Sequence, residues 1–378
     1  MISMSAKKHK TNRQGAALLV VLFIVMVITI LSLGFLSRSD VELACGQNML
    51  LRTQMDYLAE SGLEHARGLI LNPQDVSSEC FTGATGQQLV AGSDDYYDLE
   101  VVRDDSEPAN RCNYIIDCNS YRLRNGEKIG RSSIRGELRL DPCIALWTGN
   151  DTTVWGGVII NGDVYCNGIL INNNIINGDV FANDLSGSGS IAGQQRAIGD
   201  LSLGWPRVTV DDFTSNYPIE TIDANSLSGK EFGPYDPVRV CYRNYHNGDL
   251  ELAGGVQIEG MLVVDANLTI SGNGNVITAG KNLPALLVSG NLIIEDGCGL
   301  DVYGLAVVEG QTQISSGAAG VNIIVIGGLF VKNGIVGDGN ITITAAPAKT
   351  AIVVWSEVGV AEKWGQAAGA FFRNIERK

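Results

Sequence analysis

Histidine is nearly absent from this sequence. The chain has three (His9, His65 and His246) in 378 residues, and none of its eight cysteines falls in a CxxC pair. Zinc sites are built from closely spaced Cys and His, so no metal site is expected. Charge is also sparse: 18% of residues are charged, against roughly 25% in a typical soluble domain. What charge there is sums to −14, which argues against nucleic acid, because phosphate contacts require a basic face. Aromatics are only 7%. GxSxG, HExxH and P-loop signatures are missing, so none of the common catalytic motifs is available. Glycine, by contrast, is plentiful at 46 residues. With abundant Asn, Val and Ile, it points to many short strands joined by tight turns.

Charge disappears altogether from Ala16 to Leu36, AALLVVLFIVMVITILSLGFL. At about 1.5 Å per residue this run spans roughly 30 Å as a helix, the thickness of a bilayer core. Lys7, Lys8, Lys10 and Arg13 precede it, and Asp40 and Glu42 follow it. The positive-inside rule then puts the N-terminus in the cytoplasm and the rest of the chain outside, as a single-pass inner-membrane protein in contact with membrane lipid. A secretory signal peptide, an ordinary signal anchor and a processed leader all compete for such a segment.

The junction Arg13-Gln14-Gly15-Ala16-Ala17-Leu18-Leu19-Val20 resembles the start of type IV pilin-like proteins, in particular the PilX type and the minor pseudopilin K of type II secretion. The resemblance implies cleavage between Gly15 and Ala16 by a prepilin peptidase. A glycine lets an extended backbone lie close to a protease. Val20 stands where major pilins carry a glutamate, which implies a minor subunit, tip-located in the fibre. A second matching segment is Ala59-Glu60-Ser61-Gly62-Leu63-Glu64-His65-Ala66. The residues Ala59, Glu60, Gly62 and Glu64 carry this match. Leu51, Met55, Leu58, Gly62, Ala66 and Leu69 recur at helical spacing around it, and Pro73 ends the pattern. Glu60 and Glu64 read as a solvated helix face or as a contact to the sheet that follows.

Between residues 75 and 145, strand-like runs occur at 96–103, 113–117, 120–124 and 133–140, with Asn125-Gly126 as a hairpin turn. This is the pattern of a small α/β head whose antiparallel sheet packs on the helix. The acidic residues Asp94, Asp95, Asp98, Asp104 and Asp105 read as a solvated edge. Cys112 and Cys118 are close enough to close a small disulfide loop, with Cys80 and Cys143 as competing partners and free buried thiols as the alternative.

From residue 146 the sequence repeats itself. Ile-Asn-Gly-Asp-Val occurs at 160–164 and again at 176–180. Apolar runs then begin at Met261, Ala285, Leu305, Leu329 and Ala351, each followed by further short runs and Gly/Asn turns. Three short strands per coil of about 20–24 residues is the signature of a β-solenoid. The expected fold is therefore mainly β with one long N-terminal α-helix: a pilin-like head followed by a right-handed parallel β-helix. The expected divisions are 1–15 leader, 16–72 helix, 73–145 head, 146–358 solenoid with a loop-rich insertion at about 190–250, and 359–378 a cap or tail. For 360–375 an amphipathic cap helix is favoured. β-helices host polysaccharide lyases and hydrolases, but Asp265, Glu295, Asp301 and Glu309 are scattered here, and Asp163 and Asp179 follow the repeat. No catalytic residue and no cofactor are expected. The expected partners are other pilin or pseudopilin subunits and the peptidase, with envelope polysaccharide or secreted cargo as what the solenoid meets. The rival is an uncleaved membrane anchor displaying a β-helix that binds or cleaves polysaccharide.

Overall fold

The computed structural model describes residues 13–71, 82–104, 113–141, 143–197, 199, 205, 219–233, 241–244, 248–279, 284–315, 322–345 and 369–377. One helix, α1 (Arg13–Leu71), takes up 59 residues without a break. Its length is about 88 Å at the standard rise. Only its last third is buried. Met55, Leu58, Ala59, Leu63, Ala66 and Ile70 pack on a sheet, and Gly62 lies among them. Most of the stripe expected from helical spacing is there, with Ile70 buried in place of Leu69.

The sheet is antiparallel and five-stranded: β1 (Gly83–Gln87), β2 (Asp95–Arg103), β3 (Asn113–Arg124), β4 (Glu127–Asp141) and the C-terminal strand Gly369–Arg377. Tyr97, Leu99, Val101, Tyr114, Ile116 and Leu138 alternate with outward residues and cover the helix. The β3–β4 turn is Asn125-Gly126, both at positive φ (53° and 84°), as a two-residue hairpin of the primed type requires. Two corrections follow. Cys118 is a free thiol at 0% exposure in this core, so it is not bridged to Cys112, which lies outside the described residues. Its side chain points inward, toward Gly62 of the helix. Cys143, one of the competing partners, is disulfide-bonded. The expected cap helix is also overturned over 369–377. This segment forms a strand that pairs with β4 in antiparallel register, Phe371 opposite Arg139 and Arg377 opposite Ile134. The physical reason is the long outer edge of β4, whose backbone groups need partners.

Everything described between β4 and that last strand belongs to stacked parallel sheets of short strands, a β-solenoid. Inward residues form continuous ladders: Tyr242, Leu262, Leu286, Ala306 and Leu329 lie one above another on one sheet. The next rung is Leu146, not a residue of the run beginning at Ala351, which lies outside the described residues. The stack is thus not in chain order. The chain enters at mid-stack with Ile144–Thr148 and climbs through Asp163–Asn172, Val180–Ser186 and Gln195–Ala197. It then reappears at the opposite end with Ile219–Ile222 and climbs back to meet its own start. The segment expected as a loop-rich insertion therefore contains the two extreme ends of the stack. The seam is closed on a second sheet as well, where Ile341 pairs with Val158 and Ile343 with Ile160.

Turns between coils are held by side chains repeating the same bond. The Asn161 carboxamide accepts from Asn177 Nδ2 at 2.8 Å and donates across the seam to Thr344 Oγ1 at 3.2 Å. Asp163 Oδ1 accepts from Asp179 N at 2.9 Å, and Asp179 Oδ1 from Gln194 N at 2.7 Å. Asn267 and Asn291 do the same for Asn291 N and Gln311 N, each at 2.8 Å. The turn and stacking role read from the repeated Asn-Gly-Asp is what these groups perform. One corner of the coil also needs glycine: Gly304 sits at φ 146°, and a Cβ there would lie 2.7 Å from that of Ala279.

Candidate functional site

The feature that most needs a partner is the front of α1. From Leu18 to Leu50 every side chain is exposed, Leu19 at 70% and Phe35 at 71%. Fully burying one such side chain gains about 1.5–3 kcal/mol, so a bare run of this length is unsuited to water. The helix is long and apolar enough to cross a membrane, by length and composition. At the junction, Arg13, Gly15 and Ala16 are already helical. Lys7, Lys8 and Lys10 lie outside the described residues.

The second motif is brought together on the docked end. Ala59 is at 0% exposure, and a Cβ on Gly62 would run into Cys118 Sγ and come within 3.0 Å of Tyr97 Cδ2. These two small residues let the helix lie close on the sheet. The Cys118 thiol is pushed up to about 12, chiefly by burial and secondarily by Asp98, which leaves it protonated and unreactive. Polar bonds fix the same contact: Ser120 Oγ donates to Met55 O at 2.7 Å, and Tyr97 OH meets His65 Nδ1 at 2.8 Å. Glu60 is not simply solvated. Arg377 Nη2 donates to its Oε1 at 2.5 Å, and Arg377 Nη1 stands 3.8 Å from Asp56. Glu64 pairs with Arg67 one helical turn on.

Sequence reasoning missed Arg377 and the group it belongs to. A cleft of about 960 Å³ opens where α1 leaves the sheet, lined by Arg52, Arg122, Arg124, Arg131 and Arg377. The legible signal was the crowding of arginines into 122–139 of an otherwise acidic chain. The acidic edge, by contrast, is largely spent on structure. Asp95 takes a bidentate bond from Arg122, and Asp98 accepts from Gly86 N and pairs with Lys128.

On the solenoid, the outward residues of the seam are aromatic. Trp147 lies with ring centroids 5.0 Å from Tyr165, 5.3 Å from Phe330 and 6.4 Å from Trp205, and is itself fully buried. Trp205 Nε1 donates to Glu309, whose other oxygen pairs with Lys332 at 2.8 Å. These contacts fasten residue 205 to the stack, so Glu309 is committed to holding it. Among the described residues no group of three or more His, Cys, Asp or Glu is placed to hold a metal.

Fold and site together define a class: a β-solenoid inserted between the last two strands of a small antiparallel head that is built on a long, half-bare N-terminal helix. No family model matches the chain, and no curated protein matches it by sequence. Among solved structures, the competence-associated pilin ComZ of Thermus thermophilus is similar at 10% identity, over 87% of this chain and 98% of that one, with a TM-score of 0.22. At that score the likeness carries no inference about this chain.

Proposed function

We propose that this protein is a minor pilin or pseudopilin-like structural subunit. Its basic leader is removed between Gly15 and Ala16, its apolar helix waits in the inner membrane, and the helix then packs among the helices of a fibre. The head and solenoid are carried on the outer side, where the solenoid meets a surface, a cargo protein or envelope polysaccharide. The observation that carries this reading is the division of α1. One unbroken helix is bare and apolar at its front and docked on an antiparallel sheet through Met55, Ala59 and Gly62 at its rear. A plain tether needs no rigid link between span and head. A subunit that is positioned by its helix does.

The test is the intact mass of the protein extracted from native membranes. Loss of residues 1–15, with a methylated Ala16, is expected, and replacing Gly15 with a bulky residue should retain the leader and abolish assembly. An unchanged mass with unchanged behaviour supports the rival, an uncleaved anchor displaying a polysaccharide-binding β-helix.

A further inference from the structure

Five arginines line one cleft of a chain whose formal charge is −14. The cleft lies between residues 47–56 of α1 and the end of the β3–β4 hairpin. Two of the five are engaged: Arg122 with Asp95, and Arg377 with Glu60 and Asp56. Arg52, Arg124 and Arg131 are exposed and have no ion-pair partner among the described residues. Of the two acids in the lining, Asp56 is held by Arg377 and Ser132, which leaves Asp94. The floor is apolar, with Leu50, Leu51 and Ile129, and Gly130 lets β4 close on Leu51 where a Cβ would collide. An apolar floor under a basic rim suits an amphipathic helix with an acid on its apolar face.

Lipid headgroups are the other anionic candidate, and distance argues against them. Arg52 is sixteen positions beyond Leu36, roughly 24 Å along the helix. The headgroup layer beyond the hydrocarbon core is several ångströms thick and the Debye length about 8 Å. An acidic helix of the right kind is present in the chain itself. Leu36, Asp40 and Leu43 fall on one face of α1 at three- and four-residue spacing, all of them exposed and none of them in the lining of the cleft itself. Asp40 has no ion-pair partner among the described residues, whereas Glu42 on another face is taken by Arg38.

We infer that this cleft receives the 36–43 segment of α1 from a second copy of the chain, with that copy's Asp40 set among Arg52, Arg124 and Arg131. The proposal rests on the helix-packing reading above and adds to it a defined partner segment and offset. Bringing Asp40 level with Arg52 displaces the copies by about twelve residues, roughly 18 Å along the helix. The contact is heterologous, so it propagates in one direction and does not close into a dimer.

The test uses the full-length chain, labelled as energy-transfer donor and acceptor, in a neutral detergent, where no bilayer holds both apolar runs at one depth. R124E/R131E and D40R should each weaken association about tenfold, and a chain carrying all three changes should regain most of it, because the charges are then exchanged across the contact. Association equal to wild type in the single-side variants overturns the proposal. So does a three-change chain as weak as either parent, or a wild-type chain that does not associate. If the arginine reversals instead reduce binding only to vesicles containing phosphatidylglycerol, the cleft serves lipid and the proposal fails. The mass of the mature chain, read on the same samples, reports separately whether the leader is cut.

Discussion

Arg377 reaches Glu60 across 317 positions of sequence, its guanidinium donating to the carboxylate at 2.5 Å. The bond ties the last strand of the head to the helix that begins it, and all of the solenoid lies between. The head sheet is therefore completed only after every coil has been made. The ion pair itself adds little, since the Arg377 side chain is largely exposed and that of Glu60 partly so. E60Q should lower head stability by less than about 1 kcal/mol. Deleting residues 369–378 strips the paired edge of β4 and should cost several times more. Thermal melts of the two variants separate the roles: if E60Q is as damaging as the deletion, the carboxylate has a use beyond pairing.

Gly62 and Cys118 occupy one gap between helix and sheet. G62A forces a methyl into the Cys118 sulfur, and overpacking of this kind costs about 1–3 kcal/mol. C118A empties the same space at the cost of a small cavity. The double variant should be more stable than the sum of the two losses predicts, with a coupling on the order of 1 kcal/mol in a double-mutant cycle. Strict additivity in denaturant melts would show that the close approach is not what requires glycine.

The elements legible in sequence were those with a short period. The helix announced itself by its uncharged run and its stripe, the hairpin by Asn125-Gly126, and the coils by three-strand triplets ending in Gly/Asn turns. Stacking order was not legible, because a ladder of Leu, Val and Ile accepts any rung of the same length. Nothing local to Leu329 says that Leu146 lies above it. The C-terminal strand was misread as a helix because its demand is non-local: it answers the free edge of β4. Whether Cys118 is bridged or a free buried thiol is open in the sequence for the same reason: loop length permits a bridge, while the thiol belongs to a core formed with residues of α1. The motif Ala59, Glu60, Gly62 and Glu64 is contiguous and so readable in sequence; the arginine cleft is not, because its members are drawn from three separate elements.

Asp163 links the solenoid's stability to pH. It is buried at the entry to the stack, and its carboxylate accepts from Cys143 N at 2.8 Å and Asp179 N at 2.9 Å. Burial outweighs those bonds and raises its pKa from 3.8 to about 6. Well below 3.8 both folded and unfolded chains hold the proton, and the group carries no penalty. Between about pH 4 and 6 the unfolded chain releases its proton first, so stability falls as pH rises. Above 6 the loss is complete, roughly 3 kcal/mol. D163N gives up one acceptor and should start below wild type at pH 4, by about 1–3 kcal/mol. The gap should then narrow or reverse by pH 7, because the asparagine has no charge to bury. Melting temperatures of both proteins across this range check the sign, and a gap independent of pH would refute it.

The seam offers the sharpest test of the inverted stacking. Trp147 on the entering strand packs between Phe330 of the closing coil and Tyr165 of the next, with no exposed surface. Trp155 Nε1 donates across the same junction to Gly339 O at 2.7 Å, and Asn150 Nδ2 to Asn333 Oδ1 at 3.0 Å. W147A should cost about 3–5 kcal/mol. In native-state hydrogen exchange, amides of 144–161 and of 329–344 should lose protection together, because each is the other's edge partner. A matched lesion away from the seam, L287A, should leave 144–161 nearer to wild type, since two coils separate Leu287 from that segment. If W147A opens 144–161 while 329–344 keeps its protection, the two arms are merely adjacent and the stack is not one cooperative unit. Joint loss means that the coils made first cannot be fully ordered until the coils made last arrive to cover them.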